Sequence, residues 1–488
     1  MKILFIIQDT LISEYLGAMG IASVLKNSGH QVDLLRTKRD KISKIISRIK
    51  ILKPDILAYS IMTGEHNFYI SLNKQIKKEI RAFSIFGGAH PTFFPEMINY
   101  EGVDAICIGE GEYPMLDLAN SMGKRLPINK IKNLWVKDEH NIFKNEVRTA
   151  IENLDELPFP DRDFIYKDDI FLRNNKVKLF LSGRGCPFKC TYCFNEQYNI
   201  IYKDKGTVIR RKSVDYFIEE ISRVKNKYPL EFVWINDDTF PLISKKWLIE
   251  FSERFRNKIK LPFTCNIRVN SVSDETVKIL KEAGCHSVFI GVECGNEEIS
   301  QKILKRNLSN EQIIDALRIL KENKIKVGTL NLNALPVENP LEVDFETYKL
   351  NIKYKPSLAI SSLLYPYPRT PIAEYSINNK FYDGSYDNVP TSNKTETIYN
   401  FPEKLKRELQ NFQKLFGIVV EFPFLFPIIK FLIKLPIHRF YYYIFYGWYG
   451  YCFKWRMMPI KTSFRDVYVY FYQAINYIEN LKFTKRIN

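Results

Sequence analysis

Three cysteines, Cys186, Cys190 and Cys193, fall within the run Gly183-Arg184-Gly185-Cys186-Pro187-Phe188-Lys189-Cys190-Thr191-Tyr192-Cys193. The spacing is C-x3-C-x2-C. Thiolates are the ligands that suit iron–sulfur clusters. Three of them on a four-iron cluster leave one iron open to a substrate or cofactor. A structural zinc site takes four protein ligands, and no fourth Cys or His stands close by in sequence. A non-catalytic electron carrier would ligate its cluster fully, so the open position argues against that class as well. The other five cysteines, Cys107, Cys265, Cys285, Cys294 and Cys452, are scattered. A secreted disulfide framework is denser, so the pattern predicts a reducing cytoplasm. Cys265, Cys285 and Cys294 read as small core residues.

Further polar groups stand after the triad at the ends of apolar segments. They are Asp237-Asp238-Thr239-Phe240, Arg268, Gly291-Val292-Glu293, Asn333-Ala334-Leu335-Pro336 and Tyr367-Pro368-Arg369-Thr370-Pro371. Adjacent carboxylates such as Asp237 and Asp238 repel each other and rarely sit at a strand end without a role. Arg268 and Glu293 fit a ligand site and fit an ordinary ion pair equally.

Each of these groups follows a segment that reads as a strand. Val177–Leu181, Glu231–Ile235, Phe263–Val269, Ser287–Val292, Ile325–Leu332 and Leu358–Leu364 are short apolar runs separated by helical patterns. Val214, Phe217, Ile218, Ile221 and Val224 form one helix face. Ser309 and Gln312 form a capping box, and Gly284 ends the helix that Asp274 and Glu275 begin. Six such units over residues 172–372 predict a partial (β/α)6 barrel, with chemistry at the C-terminal ends of its strands.

Residues 1–145 alternate in the same way. Ile3–Ile7, Val32–Leu35, Ile56–Ser60, Ser84–Phe86 and Ala105–Ile108 read as strands of a doubly wound, Rossmann-like α/β sheet. Their following loops are rich in small residues: Ser60-Ile61-Met62-Thr63-Gly64, Gly87-Gly88-Ala89-His90-Pro91 and Gly109-Glu110-Gly111-Glu112. Ligands of open α/β sheets sit beyond the carboxyl ends of strands, where glycine lets them approach the backbone. Such turns also occur for structural reasons alone. Residues 146–171, with Leu157-Pro158-Phe159-Pro160, read as an extended linker.

The triad, with aromatic Tyr192 before its third cysteine, resembles the signature of the radical S-adenosylmethionine (SAM) superfamily. The three glycine loops look like the cobalamin-binding domain that precedes many radical SAM cores. Together the two resemblances cover about residues 1–372. They imply a 4Fe–4S cluster on Cys186, Cys190 and Cys193, whose open iron chelates SAM. They imply SAM contacts from Tyr192, Asp237, Asp238, Arg268, Glu293 and Asn333, and cobalamin contacts from Ser60, Thr63, Gly87, Gly88, His90, Gly109 and Glu110. Cobalamin domains of another type carry Asp-x-His-x-x-Gly, whose histidine replaces the lower ligand of cobalt. Here Asp138 and His140 keep that interval, but Phe143 stands in place of the glycine, so no histidine is expected below the cobalt.

The resemblance implies an enzyme that cleaves SAM to a 5′-deoxyadenosyl radical and, as the leading reading, transfers a methyl group from cobalamin to an unactivated carbon. Radical cyclisation, rearrangement or oxidation uses the same cofactors and stands as the alternative. Methylthiotransferases acting on tRNA carry an extra set of N-terminal cysteines. Cys107 is the only cysteine before Cys186, which disfavours that reading and nucleic acid as a partner. The partners expected are an external electron donor and a small-molecule or lipid-like substrate.

Residues 373–488 change in composition. They open polar, then turn aromatic and basic, as in Tyr441-Tyr442-Tyr443-Ile444-Phe445-Tyr446-Gly447-Trp448-Tyr449-Gly450-Tyr451 with Lys454 and Arg456 beside it. Leu415–Leu435 is apolar, but Glu421, Pro423, Pro427, Lys430 and Lys434 argue against a spanning helix. A mainly helical region is expected, either resting peripherally on a membrane or capping the barrel. The net charge of +17 suits an anionic surface without choosing among surfaces.

Overall fold

The computed structural model describes residues 1–8, 14–37, 41–240, 242, 244–387 and 389–461. The remainder of the aromatic C-terminal region, residues 462–488, lies outside the described residues.

The N-terminal sheet contains β1 (Lys2–Gln8), β2 (Gln31–Thr37), β3 (Ile56–Ser60), β4 (Phe83–Gly87), β5 (Ala105–Cys107), β6 (Leu134–Lys137) and β7 (Ile142–Lys144), in the order β2-β1-β3-β4-β5-β6-β7. The first five strands are parallel. Their uninterrupted apolar runs follow from burial on both faces. The doubly wound fold expected from the sequence is present, and the strand order reverses between β1 and β3. Two antiparallel strands, β6 and β7, extend the edge and were not expected. They are only four and three residues long, too short to leave an alternation that can be read.

The second half adds β8 (Val177–Phe180), β9 (Gly183–Arg184), β10 (Arg210–Arg211), β11 (Phe232–Ile235), β12 (Phe263–Ile267), β13 (Cys285–Glu293), β14 (Lys326–Asn333) and β15 (Leu358–Leu363). Six of these form a parallel sheet in the order β15-β14-β13-β12-β11-β8, the expected partial barrel. The strands β9 and β10 form a separate two-residue ribbon. The helix Asn310–Glu322 begins with the Ser309–Gln312 capping box, and Gly284, at φ +99°, ends the helix Asp274–Ala283.

The segment expected as an extended linker is packed instead. Phe164, Ile165 and Tyr166 are buried and join the cores of both halves. Arg162 is buried with them and donates to Glu14 Oε2 (2.5 Å) and to the carbonyl of Leu179 (2.6 Å).

The C-terminal helices Glu403–Glu421, Phe426–Leu432 and His438–Tyr451 lead into a π-helical turn, Cys452–Met457. Cys452, Phe453, Met457 and Met458 pack against Val177, Phe232, Trp234, Phe289, Leu330, Leu358 and Ile360, side chains of the barrel strands. Ser287 Oγ and His286 Nε2, at the start of β13, bond the carbonyls of Met457 and Arg456. This turn therefore closes the barrel from the N-terminal end of its strands. Among the described residues no helix is long and apolar enough to cross a membrane.

Candidate functional site

The cysteine loop begins where β8 ends. Gly185 has φ +96°, and a Cβ there would run into the carbonyl of Val208, so the entry to the loop requires glycine. Cys193 caps the helix Phe194–Ile201, and its N–H donates to the carbonyl of Cys190 (3.0 Å). Cys190 is buried, while Cys186 and Cys193 are partly exposed. Arg268 Nη1 donates to Cys190 Sγ (3.2 Å), Arg306 Nη1 lies 4.0 Å from it, and Asn195 Nδ2 lies 3.6 Å from Cys193 Sγ. Burial pushes the Cys193 thiol up to about 11 and raises that of Cys186. Both thiols therefore stay protonated until a metal displaces the proton. Among the described residues no three His, Cys, Asp or Glu side chains converge on a single metal ion. Three thiols on one loop with guanidinium donors behind them suit a larger, anionic iron–sulfur cluster.

Arg268 was expected at SAM. It lies against the cluster loop, stacked over Phe188 (3.8 Å) and bonded to the Arg306 carbonyl (2.6 Å). Arg306 gave no signal in the sequence. It donates to Tyr192 Oη (3.2 Å) and to the Gly291 carbonyl, and it lies 3.9 Å from Glu293. Glu293 sits at φ +65°; burial raises its carboxyl pKa, opposed by the Arg306 charge. Glu293, Arg268 and Arg306, all buried, and partly buried Tyr192 thus form one group around Cys190.

The two adjacent aspartates lie just past the end of β11, where the chain bends, and they point to different neighbours. Asp237 accepts from the Ser182 N–H (2.8 Å), from Ser182 Oγ and from Arg211, so it clamps β8 to β11. Asp238 reaches the cavity described below, where enclosure raises its pKa. Asn333 does not join this group. It alternates with Leu330 and Leu332, so it turns outward, accepts from Ser361 Oγ and lies by Asp344 of the helix Pro340–Ile352. The sequence located the end of β14 but not the facing of its last side chain.

A cavity of about 470 Å³ separates the cysteine loop from the C-terminal edge of the N-terminal sheet. Ser60, Gly87, Gly88, Gly109 and Glu110 line it on one side, and Arg184, Asn195 and Asp238 on the other. Gly88, at φ +96°, has its Cβ position 2.7 Å from the Ile61 carbonyl, so the cradle wall admits only glycine there. Small residues at Gly17, Gly20 and Ala58 keep the same edge open. This glycine-built recess fits the flat face of a large cofactor, as cobalamin requires. Thr63 and His90 lie outside the lining. Thr63 Oγ1 and His90 Nδ1 bond each other (3.0 Å), and His90 stacks on His66 with ring centroids 4.1 Å apart. Burial lowers the pKa of His90 to about 3 and that of His66 to about 4, so both rings are neutral. Glu110 does line the cavity, but its carboxylate is taken by Arg184, Arg210 and the Ile151 N–H.

Lys394, from the polar stretch after the barrel, was also missed. Its ammonium donates to the Ser361 carbonyl (2.6 Å) and to Ser362 Oγ. Enclosure brings its pKa down to about 7. The unfolded chain therefore binds more protons between pH 7 and 10.5, and stability rises with pH across that window. Lys394→Met is expected to show a shallower rise in melting temperature between pH 7 and 10 than the parent protein. Equal slopes would mean that Lys394 is solvated.

Comparison with known proteins adds independent findings. The radical SAM superfamily model matches residues 180–345, and the B12 binding domain model matches residues 9–119. The uncharacterized methyltransferase PH0819 of Pyrococcus horikoshii is 29% identical over 397 residues, which is 78% of this chain and 84% of that protein. The anaerobic magnesium-protoporphyrin IX monomethyl ester cyclase of Rubrivivax gelatinosus is 25% identical over 399 residues, 78% of this chain and 69% of the relative. Among solved structures, the radical SAM methyltransferase TsrM of Kitasatospora setae superposes with a TM-score of 0.62 at 15% identity, covering 77% of this chain and 75% of its own. That likeness shows a shared fold.

Proposed function

We propose that this chain, a radical SAM enzyme with an N-terminal B12-binding domain, transfers a methyl group to an unactivated carbon of its substrate. Its cofactors are a 4Fe–4S cluster, SAM and cobalamin. One observation carries the reading: residues that flank the cysteine triad, Arg184, Gly185 and Asn195, line a single cavity together with the glycine edge of the B12-binding sheet. When bound, the cluster with SAM would supply a 5′-deoxyadenosyl radical, and cobalamin would supply the methyl group. Cys186, Cys190 and Cys193 hold the cluster. Arg268 and Arg306 fix Cys190 and offset its negative charge. Tyr192, Glu293 and Asp238 contribute polar groups beside the loop where SAM's own polar groups dock. The closed far end of the barrel keeps water from the radical. The methyltransferase among the relatives supports the same reaction, and the cyclase supports ring closure as the second reading. Metabolites compared between cells with and without the protein decide. A substrate–product pair differing by one CH₂ unit supports methylation, and a pair of other mass difference overturns it.

The substrate class is lipid-like or presented at a membrane. Phe424, Phe431 and Phe440 are 75%, 64% and 59% exposed, beside exposed Ile428, Tyr443 and Trp455. No acidic residue occurs from Phe422 to Lys461, whereas Lys430, Lys434, Arg439, Lys454, Arg456 and Lys461 do. Basic residues near an anionic surface contribute about 1 kcal/mol each, and exposed aromatics gain by entering the headgroup layer. The same helices pack inward on the barrel, so the capping role and the membrane role belong to opposite faces. Full-length protein is expected to float with anionic vesicles, more weakly at high salt. Phe424→Ser with Phe431→Ser should reduce flotation, and equal flotation would dismiss the lipid surface.

A further inference from the structure

We infer that the loop Gly109-Glu110-Gly111-Glu112 of the B12-binding domain is a positioning element for the cluster loop, and that it holds the two cofactors in register. The inference rests on the reading that both cofactors share the cavity. The ribbon β9–β10 opens the cysteine loop, and its register sets Arg184 directly opposite Arg210. Like charges facing each other across a strand pair are destabilising. Glu110 Oε1 resolves the conflict by accepting from Arg184 Nη1 (2.7 Å) and Arg210 Nη1 (2.8 Å), and Glu112 Oε1 accepts from Arg184 Nη2 (2.5 Å). Glu110, Glu112 and Arg210 are buried and Arg184 partly so. Removing either carboxylate therefore leaves a poorly hydrated cation behind.

A second tie runs from the other flank of the cysteines. Tyr202, just after the helix that Cys193 caps, places its hydroxyl against Gly109 and accepts from the Glu110 N–H (2.9 Å). Gly109 is at φ +79°, and a Cβ there would collide with Tyr202. The cysteine triad is thus held on both sides, at Arg184 and at Tyr202, by one four-residue loop of the other domain. That loop also lines the recess for cobalamin. Two charges and a hydroxyl make the cluster position depend on the docked B12-binding domain.

The test uses full-length protein and two measurements. Hydrogen exchange on the unloaded chain reads the strap alone. Glu110→Gln with Glu112→Gln should speed exchange in residues 183–186 and 208–211 by about tenfold or more. Arg184→Glu should do the same, and adding Glu112→Arg to it should restore protection, because the pair is then reversed. Pulsed electron paramagnetic resonance on protein carrying Co(II) cobalamin and the reduced cluster reads the register. The cobalt-to-cluster distance distribution should broaden in the single reversal and sharpen again in the swap. Should the double variant fail to fold, Glu112→Gln alone is measured by the same exchange experiment. Unchanged exchange in the carboxamide variants, or a swap that folds without restoring protection, overturns the inference. Protein that binds no cobalamin overturns the functional reading, while the exchange result still decides the strap.

Discussion

Alanine in place of Cys186, Cys190 or Cys193 removes the brown iron–sulfur absorbance of anaerobically prepared protein and, with it, all release of 5′-deoxyadenosine from SAM. Each change leaves two thiolates where three are needed, and no other Cys lies on the loop to substitute. Cys190 should be the most sensitive, since its sulfur is the one that Arg268 reaches at 3.2 Å. Truncating it buries a guanidinium without its partner. Arg268→Gln should act more weakly, lowering cluster retention by about 10–100-fold, as outer-sphere changes at metal sites do. Cys265→Ser serves as the control, because Cys265, in β12, is fully buried in the core between that strand and the neighbouring helices. It should lose some stability and keep the cluster. Normal 5′-deoxyadenosine release from any of the three alanine variants would refute the cluster assignment.

The protein should bind cobalamin with no imidazole below the cobalt, and withholding cobalamin should abolish methylated product while SAM cleavage continues. Asp138 and His140, which alone keep part of the histidine-ligand motif, form the exposed turn between β6 and β7, where Asp138 Oδ1 accepts from the N–H groups of His140 and Asn141. His90 is the histidine nearest the glycine cradle in sequence, but it lies outside the cavity lining, with Nδ1 bonded to Thr63 Oγ1 and its ring stacked on His66, while its buried Nε2 has no hydrogen-bond partner among the described residues. The Co(II) paramagnetic spectrum should therefore lack nitrogen splitting, and His90→Ala should leave it unchanged. Nitrogen splitting that vanishes in His90→Ala would prove the opposite. Because folding depresses the pKa of both rings, His66 and His90 stabilise the fold fully at and above neutral pH. That contribution is lost as pH falls from about 6.5 towards 4.

The strands and the cysteine triad were legible because their signals are local. Apolar runs of four to nine residues betray buried parallel strands, and C-x3-C-x2-C has few other meanings. What stayed hidden depends on facing and on long-range contact. A bend past the end of β11 lets Asp238 reach the cavity while Asp237 ties the ends of β8 and β11, and strand alternation in β14 turns Asn333 outward. Arg306 and Lys394 reach the site from loops without periodicity, so nothing in their neighbourhoods marks them. Glu110 was located, but its arginine partners are 74 and 100 residues away in sequence. The helix His438–Tyr451 carries aromatic residues on both faces, as buried Tyr441 and exposed Tyr443 show, which erases the polar stripe that normally orients a helix.

The closure of the barrel by Phe453 and Met457 also governs traffic. With its floor filled, the barrel, among the described residues, opens towards the rim that the B12-binding domain overlooks. A bulky substrate can offer such a room no more than its tip. Selectivity therefore falls on the few atoms of that tip, and the rest of the molecule is free to remain outside, anchored wherever it came from.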